Sequence, residues 1–335
     1  MKTVTLGRTD IKVNKNGFGA LPIQRITDDE SDHLLKKAYN QGVDFYDTAR
    51  VYSNSEEKIA RALGDVREKI IIASKTKAKT PAEFWEDLET SLSNLQTDYI
   101  DLYQFHTPSF CPMPDDGSGL YEAMQKAQSQ GKIRYIGITN HRLSVAQEAV
   151  ESSLYDTLQY PFSYLADQRE MDLVNRCREK KVGFIAMKAL AGGLIHHSAA
   201  AYAFISQFHH VLPIWGIQQE AELDEFIHYH ENPPEMSVSF KNIIEQDKEE
   251  LSGEFCRACG YCLPCPVAID IPQCARMSLL LRRAPGFMTT TEEWKNKMLM
   301  IEDCIHCNQC KDRCPYGLDT PELLRKNLED YQPYL

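Results

Sequence analysis

The chain has 335 residues, too many for one small domain and enough for a barrel-sized domain plus a small module. Its 43% of apolar and aromatic residues and 25% of charged ones match an ordinary globular protein rather than a disordered one. A net charge of −11, with Lys and Arg nowhere in a dense block, excludes the basic face that a nucleic acid partner requires. No stretch approaches the roughly 18–20 apolar residues of a membrane span. The first seven residues lack the apolar core of a signal peptide, so a cytoplasmic protein is expected.

In chain order, residues 3–6 and 11–14 flank Gly7-Arg8-Thr9-Asp10, a hairpin expected to cover the bottom of a barrel. Eight short β-rich runs follow, at residues 16–19, 43–47, 70–74, 99–105, 134–139, 157–159, 182–187 and 211–214. Between and after them lie helical patterns at 31–41, 55–63, 83–95, 120–130, 145–153, 167–181, 199–208 and 220–230. Eight strands, each followed by a helix, predict an α/β fold, the (β/α)8 TIM barrel. An open doubly wound sheet is the alternative. The polar stretch 246–254 divides a barrel domain, residues 1–245, from a cysteine-rich domain, residues 246–335.

Eight of the eleven cysteines form two runs. Cys256-x2-Cys259-x2-Cys262-x2-Cys265-Pro266 is followed, after a long insert, by Cys304-x2-Cys307-x2-Cys310-x3-Cys314-Pro315. In a reducing compartment such clustering points to metal rather than disulfides. Three thiolates at three-residue spacing wrap one face of a [4Fe–4S] cubane, and the fourth, set apart before proline, commonly ligates the other cluster. Cys256, Cys259, Cys262 and Cys314 are therefore expected to hold one cluster, and Cys304, Cys307, Cys310 and Cys265 the second. Structural zinc, which usually takes two separated Cys-x2-Cys pairs, is the competing reading. The first run is one residue shorter than the bacterial ferredoxin pattern before its fourth cysteine. Helical patterns at 273–283 and 291–301 make this domain resemble the helical di-cluster ferredoxins. Cys111, Cys177 and Cys274 lie outside both runs and are expected to be small packed thiols.

Functional groups of such barrels sit at the C-terminal ends of the strands. There the sequence places Asp47, with Tyr52 five residues on, then Lys75, then His106. In a carbonyl reduction, negative charge develops on oxygen as hydride arrives, so a nearby proton donor lowers the barrier. Tyr52 is the expected acid. A buried Lys75 is expected to lower the phenol's pKa, Asp47 to hold Lys75, and His106 to orient the carbonyl.

These four residues, in this order and at these strand ends, resemble the tetrad of the aldo-keto reductase family. So does the run from Phe84-Trp85-Glu86-Asp87 through Asp101-Leu102-Tyr103-Gln104-Phe105-His106. The resemblance extends from the hairpin to Phe226, within a subgroup that carries a C-terminal 4Fe–4S di-cluster domain. It implies an NAD(P)H-dependent oxidoreductase acting on a small-molecule aldehyde, ketone or alcohol. It further implies that Thr139, Asn140 and Gln159 meet the nicotinamide carboxamide and that the loop Met187-Lys188-Ala189-Leu190-Ala191-Gly192-Gly193-Leu194 carries the pyrophosphate. Gly216 and Glu222 follow the eighth strand. NADPH-preferring members place basic residues there for the 2′-phosphate, whereas this chain offers Glu220 and Glu222. A carboxylate accepts a hydrogen bond from a free 2′-hydroxyl and repels a phosphate, so NADH is the expected cofactor. First-turn acidic residues also favour the helix dipole without any cofactor role. Phe226 stands where the family often has an asparagine facing adenine.

Nicotinamide passes two electrons as hydride and an iron–sulfur cluster passes one. The clusters are structural, or sense redox state, or deliver electrons from a ferredoxin-type carrier to a substrate beside the nicotinamide. A reading from another class makes the protein an electron-transfer or sensor module whose barrel binds nicotinamide as a regulatory ligand. The 107–119 loop and residues 21–25 are expected to line a partly apolar substrate pocket.

Overall fold

A computed structural model of the protein describes residues 3–251, 255–283 and 289–335. The chain divides into two compact units, Met1–Ala189 with Ala199–Ser237, and Leu190–Ser198 with Val238–Leu335.

The first unit opens with an antiparallel hairpin, β1 (Thr3–Thr5) and β2 (Lys12–Asn14). Eight parallel strands then close into a barrel in which the last pairs with the first: β3 (Gly17–Gly19), β4 (Phe45–Asp47), β5 (Ile71–Thr76), β6 (Ile100–His106), β7 (Ile133–Thr139), β8 (Thr157–Pro161), β9 (Gly183–Met187) and β10 (Val211–Gly216). The helices around it are α1 (Asp28–Asn40), α2 (Ser55–Leu63), α3 (Pro81–Leu95), α4 (Leu120–Ser129), α5 (Leu143–Ser152), α6 (Gln168–Lys180), α7 (Ser198–Ser206) and α8 (Glu220–Glu231). This is the expected (β/α)8 barrel, and the doubly wound alternative is excluded by the pairing of β10 with β3.

Local chemistry sets the helix starts. Thr27 with Glu30 before α1, and Asp167 with Glu170 before α6, form reciprocal capping boxes that satisfy otherwise orphaned N–H groups. Thr80 caps α3, whose first residue is Pro81, a position where the missing N–H costs nothing.

The hairpin plugs one end of the barrel. Its Val4, Leu6, Ile11 and Val13 pack on Phe45, Ala73, Leu102, Ile185 and Leu212, all from the strands. Its turn lies so close to the start of β9 that a Cβ on Gly7, which has φ +58°, would stand 2.3 Å from the Gly183 nitrogen. Leu6 has no exposure, and truncating such a residue to alanine costs about 2–5 kcal/mol. With the N-terminal end filled, chemistry is left to the strands' C-terminal ends.

The second unit is helical, as expected. Helix α9 (Val238–Glu250) replaces the polar junction read from the sequence at 246–254, of which residues 252–254 lie outside the described residues. Shorter helices follow at Ile271–Cys274, Met277–Arg283, Glu292–Leu299 and Gln309–Asp312, then a longer one at Thr320–Tyr331. Ile269, Ile271, Met277, Met298, Leu324, Leu328 and Tyr331 form its core, and Cys256, Cys262, Cys265 and Cys304 pack against that core. Among the described residues, no helix is long and apolar enough to cross a membrane.

Candidate active site and metal centre

Asp47 ends β4, Lys75 is the last residue but one of β5, and His106 ends β6. Tyr52 sits on the turn into α2, where its N–H donates to Ala49 and its carbonyl accepts from Ser55. Lys75 Nζ lies 2.7 Å from Asp47 Oδ1 and also donates to the Thr48 carbonyl. Both side chains are buried. The same ammonium stands 5.2 Å from the centre of the Tyr52 ring, and the His106 ring meets that ring edge-on at 5.7 Å. All four residues singled out in the sequence thus come together at one end of the barrel.

The charges have clear causes. Burial pulls Lys75 down and pushes Asp47 up, and their mutual contact opposes both shifts. Burial, joined by the Asp47 carboxylate, raises Tyr52 above the ordinary phenol value. This is opposite to the expected lowering by Lys75, because burial, the larger cause, disfavours the charged phenolate. Burial and the nearby Lys75 and Lys77 push His106 well below its usual value, so its imidazole is neutral. Its Nδ1 is buried without a hydrogen-bond partner among the described residues.

Sequence reasoning passed over one member of this group. Gln104, fully buried in β6, donates to Gln159 Oε1 at 3.0 Å, and Gln159 in turn donates to Asp47 Oδ2 at 3.4 Å. The signal was available. In a strand, residues two apart share a face, and Gln104 precedes His106 by two.

The residues that the resemblance assigns to the cofactor have the following partners. Thr139 Oγ1 accepts from the Thr107 N–H at 3.2 Å. The Asn140 amide donates to the Pro108 carbonyl and accepts from the N–H groups of His141 and Arg142. Met187 ends β9, and Lys188, Ala191, Gly192 and Gly193 all have positive φ in the turns that follow. Of this loop, Leu190 and Gly192 belong to the second unit. Gly216 ends β10 and is exposed. Glu222 Oε2 accepts from the N–H groups of Gln218 and Gln219, 2.7 and 2.9 Å away, and so caps α8. Glu220 pairs with Lys37 and His33 on α1. Phe226 is buried, stacked on Trp215 with ring centres 4.1 Å apart. Pro22 and Ile23 lie on a 3-10 turn in which Ile23 is buried, while Leu21, Val51 and Phe110 are exposed after β3, β4 and β6.

In the second unit the cysteines surround two cavities. One is lined by Cys256, Cys259, Cys262 and Cys314 with Ile271, Leu318 and Leu323. The other is lined by Cys265, Cys304, Cys307 and Cys310 with Val267, Ile269 and Leu324. Cys262 borders both. Each cavity thus takes three thiols of one run together with the fourth cysteine of the other, and the second is bordered by Cys262 as well. Burial and neighbouring thiols push Cys262 up to about 12, a cost that cationic iron would offset. The Ala258 N–H donates to Cys256 Sγ, a bond of the kind that tunes cluster potentials. This set of soft donors and apolar walls fits iron–sulfur centres.

A profile of the aldo/keto reductase family matches residues 15–231, and one of a 4Fe-4S dicluster domain matches residues 255–319. The L-galactose dehydrogenase of Arabidopsis thaliana is 29% identical over 209 residues, covering 57% of this chain and 66% of its own length. The NADH-specific methylglyoxal reductase of Escherichia coli is 26% identical over 225 residues, covering 58% of this chain and 69% of its own. The matches thus span about two thirds of these relatives' length. Two solved structures share the fold. An aldo-keto reductase from Bacillus halodurans, in holo form, has a TM-score of 0.63 at 22% identity, covering 74% of this chain and 96% of its own. A putative aldo-keto reductase from Pseudomonas aeruginosa has a TM-score of 0.61 at 23% identity, covering 69% and 95%.

Proposed function

Because the chain belongs to the aldo/keto reductase family and continues into a 4Fe-4S dicluster domain, we propose that it reduces a small aldehyde or ketone to an alcohol, with Tyr52 as general acid. The observation that carries this reading is the convergence of Tyr52, His106 and the buried Lys75–Asp47 pair at the strands' C-terminal ends. When bound, the nicotinamide supplies hydride to the carbonyl carbon. The chain's own residues handle the oxygen. Tyr52 gives its proton to the developing alkoxide, and neutral His106 offers an N–H to orient the carbonyl. Asp47 holds Lys75, Gln159 donates to Asp47, and Gln104 holds Gln159. A phenol kept protonated by its surroundings is in the form that reduction consumes, while its raised pKa makes it a weaker donor than a free phenol.

Thr139, Asn140, Gln159, Met187, Lys188, Leu190, Gly192 and Gly216 are assigned to the cofactor on the family pattern. NADH is the proposed form, since the eighth loop, residues 214–226, contains no Lys or Arg and two of its acidic groups are Glu220 and Glu222. The capping role of Glu222 makes repulsion of a 2′-phosphate the firmer half of that reasoning. Two [4Fe–4S] clusters are assigned to the two cavities in the crossed pattern, as structural centres or as electron acceptors from a ferredoxin-type carrier. Cysteines free of disulfides suit the reducing cytoplasm.

Tyr52→Phe tests the reading. NADH-dependent carbonyl reduction should fall by about 10²–10⁴ while NADH binding and cluster absorbance are unchanged. Undiminished activity removes Tyr52 as the acid and favours a barrel that binds nicotinamide without turnover.

A further inference from the structure

Arg276 lies between the helices Ile271–Cys274 and Met277–Arg283. Its Nη1 donates to the Gly192 carbonyl at 2.8 Å, and its Nη2 donates to Gln273 Oε1 at 3.2 Å. Its Nε is buried and has no hydrogen-bond partner among the described residues. Gly192 has φ +68°, and a Cβ there would stand 3.4 Å from Nη1, so a glycine leaves room for this approach. Arg276, Gly192 and the cluster cysteines belong to the same compact unit.

The two acceptors are neutral, so these bonds leave the guanidinium's charge in place. Ala275, its neighbour in the chain, lines the first cavity together with Cys256, Cys259, Cys262 and Cys314. Arg257, next to Cys256, lines the same cavity, and its carbonyl stands 3.9 Å from the position of a Gly192 Cβ. One cation therefore stands next to the lining of the first cavity while bonded to the loop that follows β9.

We propose that Arg276 is a positioning residue that couples occupancy of the 190–193 loop by the cofactor's pyrophosphate to the reduction potential of the cluster held by Cys256, Cys259, Cys262 and Cys314. This rests on the loop and cluster assignments made above. A cation beside a cluster favours its reduced, more negative state and raises its potential. An anion arriving on the loop competes for that cation, offering its oxygens to a guanidinium with an unpaired Nε, and so lowers the potential. Reciprocity then requires the anion to bind less tightly once the cluster is reduced.

ADP-ribose tests this directly, because it carries the pyrophosphate without the redox-active ring. In anaerobic titrations of the full-length protein with both clusters present, ADP-ribose should lower the potential of one cluster and leave the other in place. Its Kd should rise at least about threefold on reduction, tenfold corresponding to 59 mV for one electron. Arg276→Gln should start from a lower potential and lose the shift while still binding ADP-ribose. Arg276→Lys, which keeps the charge without the fork, should retain most of the starting potential and part of the shift. Iron content and absorbance verify that the variants keep both clusters. If Arg276→Gln fails to assemble them, the comparison of wild type with Arg276→Lys decides. A full shift in Arg276→Gln, or none in a wild type that binds ADP-ribose, overturns the coupling alone. Failure of the wild type to bind ADP-ribose overturns the loop assignment with it.

Discussion

Lys75 Nζ lies 2.7 Å from Asp47 Oδ1 in a part of the barrel that water hardly reaches. Each charge alone would cost several kcal/mol to bury, and only the pair makes burial tolerable. Lys75→Met should therefore destabilise the barrel by about 3–5 kcal/mol and abolish reduction. The double variant Lys75→Met with Asp47→Leu should recover most of the stability and none of the activity. Denaturant unfolding and a carbonyl-reduction assay measure the two effects. A single variant as stable as wild type would mean that Asp47 is solvated or protonated.

The raised Tyr52 fixes the sign of the pH dependence. A phenol whose pKa exceeds the ordinary value of about 10 stays protonated throughout the neutral range, so kcat/KM for reduction should not fall up to about pH 10. Alcohol oxidation needs the phenolate, whose share grows about tenfold per pH unit below the pKa, so that rate should climb with pH and reach no plateau. The lowered His106 adds no inflection near pH 6.5. Full pH profiles in both directions check this, and an oxidation plateau near neutrality would contradict it.

Glu222 caps α8, and the proposed preference for NADH would give it a second, separable duty. As the N-terminal cap of α8, it should contribute about 0.3–1.5 kcal/mol, lost in Glu222→Ala and largely retained in Glu222→Gln. As a negative charge facing a 2′-phosphate, it should disfavour NADPH equally in both variants once removed. Melting temperatures and the NADH-to-NADPH ratio of kcat/KM distinguish the two duties. An unchanged ratio in both variants would leave Glu222 as a cap only.

The crossed cavities make a prediction of a different kind. Cys256→Ser combined with Cys314→Ser should damage one cluster, whereas Cys256→Ser combined with Cys265→Ser should damage both. Iron content and the electron paramagnetic resonance of the reduced protein count what survives. If the pairs behave the other way round, each run of four cysteines holds its own cluster.

The barrel was legible because strands and helices alternate with strong periodicity, and every strand starts and ends within two residues of its expected bounds. The tetrad was legible because strand ends are where such barrels expose side chains. Helix α9 was obscured by composition, since of its 13 residues only Ile244 and Asp247 are buried, too few to mark an apolar face. The direction of the Tyr52 shift could not be read either. It depends on how completely the fold buries the phenol, which residue type does not reveal. Glu222 shows the converse. An acidic residue in a first helical turn is equally good as a cap and as a ribose acceptor, and only the N–H groups of Gln218 and Gln219 reveal the first use.

The exchange of fourth cysteines between the two cavities bears on how the domain is made. Neither cavity has its full set of thiols until the segment ending at Cys314 has returned to the one beginning at Cys256. Since metal binding free energy is also folding free energy, each proposed centre would form only as the two segments meet around the intervening helices. Losing one fourth ligand would then loosen both ends of the fold, and iron would serve the domain as a clasp that fastens only when both halves are in hand.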